Sequence, residues 1–336
     1  MFRQGMDRAL APIDVSYVST HFPHLKAGDK ELFDRFADCV MEHQRANTPV
    51  YRRFVDFQYL PIEAFKRADV ASFPPKEAEA VFKSSGTATP DNRSTHYIKS
   101  LAVYRRSVLA HFKIVFGRGP FTIIACMPVG SGAFESSSLV TMAQMLIEEL
   151  GTPVSSFVRV DLDSLDVAVK SAKESEAPLI LFGLAFGLLD IVDAGGLQLP
   201  PDSIVLETGG MKVHRREIGR TELHEKLSRG FGVSRDRIRS EYGMCELLSQ
   251  FYMREDGLFY PPPWVQFRVF DPYVPERELD EGELGALAVL DLANIYSVSS
   301  ILTQDSAIRI GEGFDLVGRL TGAELRGCNY LLENVR

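Results

Sequence analysis

The feature that most constrains this chain is an alternation of short apolar runs with glycine-bearing loops and helical stretches between residues 120 and 230. Phe121-Thr122-Ile123-Ile124-Ala125-Cys126-Met127 is almost wholly apolar, as a strand buried on both faces must be. A Gly/Ser-rich loop, Gly130 to Ser138, follows it. Leu139, Met142, Ala143, Leu146 and Leu150 then recur at helical spacing. Phe157 to Val160, Pro178 to Leu184 and Ser203 to Leu206 read as three further strands, and Arg215 to Arg229 as a helix. Strands alternating with helices predict an α/β domain with a mainly parallel sheet. In such a sheet the ligand site lies in the loops that leave the carboxyl ends of the strands.

The flanks differ in texture. Residues 1–75 read as a helical lead-in, because Leu32, Phe33, Phe36 and Val40 share one face between Lys30 and Gln44. The α/β core is expected over 76–255. Beyond it, Pro261-Pro262-Pro263, scattered glycines and β-rich stretches such as Leu284 to Leu292 indicate a smaller β subdomain and C-terminal tail over 256–336.

Composition narrows the function classes. Hydrophobic residues make up 45% of the 336 and charged residues 24%, which suits a globular protein with a large core. A formal net charge of -8 gives no general attraction to nucleic acid or to anionic membranes. No apolar run is long enough to span a bilayer, and Met1-Phe2-Arg3-Gln4-Gly5 does not lead into a signal peptide's apolar core. Four cysteines, at 39, 126, 245 and 328, form no CxxC pair and no metal spacing. Reduced thiols in a cytoplasmic protein are therefore expected.

Four segments carry chemistry. Ser84-Ser85-Gly86-Thr87-Ala88-Thr89 is a small hydroxyl-rich loop able to surround phosphate oxygens, and it is not the GxxxxGK[ST] loop. Glu207-Thr208-Gly209-Gly210 closes a strand with two glycines that admit a flat ligand. Glu241-Tyr242-Gly243-Met244-Cys245-Glu246 combines an aromatic ring able to stack on a purine with a carboxylate able to hold Mg²⁺ beside a triphosphate. Thr303-Gln304-Asp305, followed by Gly318-Arg319, offers a carboxylate for a ribose diol and a cation for phosphate. Each segment alone matches ordinary turns, core aromatics or surface charges. His96, His111 and His214 are weighed as structural, hydrogen-bonded or surface histidines ahead of a general-base role.

The order and spacing of the four segments resemble the adenylate-forming superfamily of acyl-CoA synthetases, over roughly residues 80 to 330. Within it, the chain resembles the LuxE-type acyl-protein synthetases, the long-chain-fatty-acid–protein ligases of bioluminescence operons. Arg93-Ser94, Ser136-Ser137-Ser138-Leu139, Thr208-Gly209-Gly210-Met211-Lys212 and Glu324-Leu325-Arg326-Gly327-Cys328 add to that likeness.

The resemblance implies ATP and Mg²⁺ as cofactors and a carboxylic-acid substrate, a fatty acid in the LuxE case. Ser84, Ser85, Gly86 and Thr87 would hold the phosphates. Gly209 and Gly210 would face the adenine and Tyr242 would stack on it, with Gly243 and Met244 completing the nucleotide site. Glu246 would bind Mg²⁺, Asp305 the ribose hydroxyls, and Arg319 would lie near ribose or phosphate. Cys328 would accept the acyl group, with a partner or carrier protein receiving it next. Lys212 is a candidate catalytic cation, beside Arg93 and Arg215, and Glu135 and Ser136 mark where an acyl substrate could enter.

The chain departs from the superfamily at Ala88 and Thr89, where a hydroxyl and a glycine are lost, and at Cys245, where Thr or Ser is usual. The superfamily's mobile C-terminal lid is expected to be absent. Two other readings remain open: a ligase loading an aryl or short acyl acid onto coenzyme A or a carrier-protein thiol, and a non-catalytic nucleotide- or acyl-binding subunit.

Overall fold

The structure, a computed structural model, describes residues 13–54, 57–84, 93–128, 136–209 and 218–320. Three helices, α1 (Val15–His21), α2 (Lys30–Asn47) and α3 (Pro49–Arg53), precede β1 (Leu60–Pro61) and α4 (Ala64–Arg67). A hairpin, β2 (Ala80–Lys83) and β3 (Thr95–Ile98), leads into α5 (Leu101–Phe116). The alternating core then runs β4 (Thr122–Cys126), α6 (Ser138–Leu150), β5 (Ser156–Val158), α7 (Leu162–Lys173), β6 (Leu179–Leu184), α8 (Ala185–Asp193), β7 (Ile204–Thr208), α9 (Arg220–Phe231) and β8 (Ile238–Tyr242). Short strands β9 (Phe251–Met253) and β10 (Phe259–Tyr260) follow, with β11 (Val265–Phe270), β12 (Leu284–Asp291), β13 (Ser300–Ile310) and β14 (Gly313–Arg319).

The α/β expectation is met. One 12-stranded sheet takes the order β11-β12-β13-β14-β10-β9-β8-β7-β6-β4-β5, with β1 beside β13. From β5 through β8 the neighbours are parallel. From β8 through β9 to β11 they are antiparallel, so the sheet changes character at β8 and is continuous across residue 255.

Alternation within each strand explains the layers. Ile123, Ala125, Ile180, Phe182 and Leu206 point into one core with α5 and α6, while Ile124, Cys126, Leu181 and Val205 point into a second with α7, α8 and α9. Strands covered on both faces read as continuous apolar runs, which is why β4 and β6 were visible in the sequence. Ser137 and Asp161 cap α6 and α7 by accepting the N–H groups of Val140 and Ser164. Observed ends differ by a few residues from the expected ones: β7 runs on to Thr208, and α9 begins at Arg220 rather than Arg215.

The N-terminal helices are bound into the antiparallel half. Gln44 of α2 is fully buried, and its amide donates to the carbonyls of Asn294 and Ile295 at 2.8 and 3.0 Å. Its oxygen accepts the Ser299 N–H at 3.0 Å. No helix among the described residues is long and apolar enough to cross a membrane.

Gln44→Leu would strand two carbonyls and one N–H in the core. A loss of about 2–4 kcal/mol is expected, read as a lower urea midpoint at unchanged m-value.

Candidate active site

Between the end of β8 and the start of β9 the chain makes an irregular turn, and every residue from Cys245 to Gln250 is buried. Buried backbone polar groups need partners, and outside a sheet those partners must be side chains. His96 on β3 donates from Nδ1 to the Cys245 carbonyl at 2.7 Å, and its Nε2 meets the Ser297 hydroxyl at 3.0 Å. His111 on α5 donates to the Gln250 carbonyl at 2.8 Å. Asn294 donates to the Glu246 carbonyl at 2.8 Å. Asp291 accepts the Leu248 N–H at 3.0 Å and the Ser249 hydroxyl at 2.7 Å, and Trp264 adds its indole N–H to the same hydroxyl at 2.9 Å.

Burial sets the charges of these struts. It pushes His96 down to about 4 and His111 to about 3, so both rings are neutral at pH 7. It lifts the Asp291 carboxyl to about 6, against the hydrogen bonds it accepts. The two histidines read in the sequence as hydrogen-bonded structural residues are that, and they carry the turn.

Three of the four chemical segments touch directly, and the strand leaving the first is tied to the third. Ser84 is the neck of the serine-rich loop: its hydroxyl accepts the Ser94 N–H at 3.0 Å and its own N–H donates to the Ser94 carbonyl at 3.1 Å. The neighbouring Lys83 N–H donates to the carbonyl of Ser136, in the loop before α6, at 3.0 Å. Two residues beyond Ser94, His96 reaches Cys245. Thr208 at the end of β7 donates to the Glu241 carboxylate on β8, and Gly209 takes a left-handed φ of 81° as the chain leaves the sheet. Tyr242 donates to Asp305 Oδ2 at 2.9 Å, and Arg319 holds Asp305 Oδ1 at 3.1 Å. A Cβ on Gly243 would stand 2.4 Å from Glu241 Oε1, so a side chain there would have to displace that carboxyl.

Tyr242 is only 8% exposed, and its ring lies among Phe251, Phe259 and Phe314 at centroid distances of 5.7, 6.1 and 6.0 Å. All three rings are tilted or edge-on to it, so none of these aromatic neighbours stacks on its face. Met244 is half-buried against the same core. Glu246 is 5% exposed, and its partner among the described side chains is the Cys245 thiol, which donates at 3.2 Å. Burial, reinforced by the Glu246 charge, holds that thiol well above the ordinary range, so Cys245 is a proton donor rather than a nucleophile.

Among the described residues no group of three or more His, Cys, Asp or Glu could hold a metal ion. A buried carboxylate with no cationic partner among the described residues nevertheless suits a magnesium ion held by one protein ligand and substrate phosphates. Arg93 Nε, at the same neck, is buried without an acceptor among the described residues. An orphaned guanidinium donor there fits an anionic ligand.

Ser85, Gly86, Thr87, Ala88, Thr89, Glu135, Gly210, Lys212, His214, Arg215 and Cys328 lie outside the described residues. Sequence reasoning missed Asn294, Asp291 and the Thr208–Glu241 pair. Asn294 and Asp291 sit in an Asp-Leu-Ala-Asn stretch that carries no periodic or motif signal. The pairing of Thr208 with Glu241 depends on strand register, which the sequence does not state.

No protein-family model matches the sequence, and no curated protein does. Solved structures do. The chain is similar to 2-hydroxyisobutyryl-CoA ligase in its postadenylation state, with a TM-score of 0.61, 15% identity, and coverage of 87% of this chain and 68% of that one. It is also similar to ATP-bound MatB from Rhodopseudomonas palustris, with a TM-score of 0.50, 15% identity, and 74% of this chain matched. An ATP-bound RpMatB-BxBclM chimera scores 0.51 at 14% identity. The match spans about half the length of the latter two, 49% of each. The chain thus shares its fold with these ligases.

Burial, with the Glu207 charge adding to it and the Thr208 bond opposing it, lifts the Glu241 carboxyl from 4.5 to about 7. The folded protein therefore holds this proton more tightly than the unfolded chain. The associated stability is complete below pH 4.5 and is lost as pH rises through about 7. Glu241→Gln removes that slope. Relative to the parent protein the variant gains on the order of 2–4 kcal/mol between pH 5 and 8, read by urea unfolding at each pH. Identical pH slopes would discard the buried-carboxyl account.

Proposed function

We propose that this chain activates a carboxylic acid as an acyl adenylate and passes the acyl group to a thiol. The observation that carries the reading is the convergence just described. Through His96–Cys245, Thr208–Glu241 and Tyr242–Asp305–Arg319, segments up to 149 positions apart in sequence are joined around the turn that bears Glu246. The likeness in fold to ligases solved with ATP or with an acyl-AMP agrees with it.

In this reading ATP is the substrate nucleotide. Ser84 to Thr87 and Arg93 receive its phosphates, Thr208 to Gly210 and Tyr242 to Met244 border the base, and Asp305 accepts from the ribose hydroxyls. Both Asp305 oxygens are already engaged, by Tyr242 and by Arg319, which fixes the carboxylate before the nucleotide arrives. Mg²⁺, held by Glu246 and the phosphates, would offset the charge of departing pyrophosphate. The acid's carboxylate oxygen attacks the α-phosphorus, and the bond to the bridging oxygen breaks toward pyrophosphate. Lys212 and Arg319 stand as cations for that developing charge. A thiolate then attacks the acyl carbonyl, the bond to the phosphate oxygen breaks, and AMP leaves behind a thioester.

The LuxE-like reading places that thiol on Cys328, with a fatty acid as substrate and a protein as the next acceptor; its support is the resemblance of the C-terminal segment. Cys126 and Cys245, buried and with raised pKa values, are unsuited to the step. Coenzyme A is the second reading for the acceptor, because a similar ligase structure holds 2-HIB-AMP together with CoA.

Acid-dependent exchange of labelled pyrophosphate into ATP is expected across a panel of acids, and its absence with every acid would leave a binding subunit. Asp305→Ala is expected to lower kcat/KM for ATP by about 10- to 100-fold, the loss of one or two charge-assisted bonds. Cys328→Ser separates the acceptors. Loss of labelled acyl-protein with exchange retained assigns the thiol to Cys328, whereas unimpaired thioester formation on added coenzyme A assigns it there.

A further inference from the structure

One side chain crosses the sheet where its two halves are most thinly joined. In the strand order, β9 and β10 link the parallel half, β5 to β8, to the antiparallel half, β11 to β14. β10 is 2 residues long, and it meets β14 with Phe259 opposite Phe314. Two residues further along that register Gly257 would face Leu316, but Gly257, at a left-handed φ of 82°, belongs to the turn from β9. Arg220, the first residue of α9, fills the gap. Its Nη1 donates to the Gly257 carbonyl at 3.3 Å and its Nη2 to the Leu316 carbonyl. Nη1 also holds Asp315 Oδ1 at 3.2 Å, and the guanidinium lies over the Phe259 ring, 5.0 Å from its centroid. A planar fork of donors suits two facing carbonyls and an aromatic ring at once, which a lysine's point charge does not.

Both ends of this contact are anchored. α9 belongs to the parallel half: Leu223, Leu227 and Phe231 are buried in the same core as Val205 of β7 and Ile238 of β8. One turn after Arg220, the buried His224 meets Ser240 Oγ of β8 at 3.0 Å and Glu207 Oε1 of β7 at 3.4 Å. β14 belongs to the antiparallel half and pairs with β13 from Ile310–Gly313 to Asp305–Arg319. A shift of β14 against β10 would therefore carry Asp305 with it, while Tyr242 stays on β8. The 2.9 Å bond between Tyr242 and Asp305 spans this seam. Phe259, the ring beneath Arg220, is itself a neighbour of Tyr242 at 6.1 Å.

We propose that Arg220 is a positioning residue for the nucleotide: by stapling α9 and β10 to β14, it holds Asp305 at the distance from Tyr242 at which one ribose and its base reach both. The inference rests on the nucleotide roles given above to Tyr242 and Asp305. Arg220 acts through Asp305, and its own donors are taken by two carbonyls and the Asp315 carboxylate. A side chain needed for folding alone would leave the ATP affinity of the folded protein unchanged. A staple lowers that affinity when cut, and lowers it by way of the ribose hydroxyls.

The test is calorimetric titration of the full chain with ATP and Mg²⁺, beside 2′,3′-dideoxy-ATP, which lacks the hydroxyls Asp305 would accept from. Arg220→Met is expected to weaken ATP binding by roughly fivefold or more and dideoxy-ATP binding by less than about twofold. On an Asp305→Ala background the same substitution should change ATP affinity by less than about twofold, because residues that act through one another are not additive. Arg220→Lys, which keeps the charge and loses the fork, should fall between the parent and Arg220→Met. Asp315→Ala removes one partner of the staple, serves where Arg220→Met fails to fold, and should weaken ATP but not dideoxy-ATP. A lower urea midpoint with both affinities unchanged overturns the inference, as do equal losses for the two nucleotides or additive losses with Asp305→Ala. A parent that binds ATP without acid-dependent pyrophosphate exchange removes adenylation and leaves the staple standing. A parent that binds no ATP removes the nucleotide site and the inference with it.

Discussion

The structure depends on how a buried, irregular turn satisfies its backbone. Residues 243–250 have no strand partner, yet they lie beneath the sheet's surface, where an unpaired carbonyl or N–H is costly. Four residues from three other elements supply what is missing: His96 from β3, His111 from α5, and Asp291 and Asn294 from the end of β12. Two of those struts are histidines kept neutral by burial, a state in which one ring nitrogen donates and the other is free to accept. The turn is rigid because each strut is itself held, Ser249 by Asp291 and Trp264, and His96 by Ser297.

That rigidity matters because the turn sits where the sheet changes from parallel to antiparallel. On one side, β7 and β8 end in parallel and present Thr208, Gly209 and Glu241. On the other, β13 and β14 pair Asp305 with Arg319. Tyr242 links the halves through one hydrogen bond to Asp305. A site built across such a seam needs no flexible loop to bring its carboxylates into register, since the register of the strands already does so.

The parallel core was legible in the sequence because strands covered on both faces have no polar positions to blur them, as β4 and β6 illustrate. Helix α5 was not, although it is 16 residues long, because buried Ser107 and His111 interrupt its apolar face. Their polar atoms serve the turn rather than the helix, and nothing local to α5 announces that. The candidate site was legible as a set of segments, since glycine next to a strand end and small hydroxyl clusters have local causes. Its internal contacts were not: whether Asp305 meets Tyr242 is decided by pairing across β9, β10 and β14, and no spacing in the chain encodes it. Glu241 was quoted as the first residue of a motif without a role, and only its register partner, Tyr252, shows what it faces.

The Gln44–Ser299 and His96–Cys245 bonds join residues 255 and 149 positions apart. During synthesis, then, α2 and α5 leave the ribosome well before the strands that will cover them exist. Loop closure over such distances is slow and leaves apolar surface open to aggregation in the meantime. Until the last antiparallel strands emerge, α2 and α5 lack the groups that complete their buried polar contacts. A circular permutant that placed β12 and β13 ahead of α2 would shorten that exposure while keeping the same strand pairing.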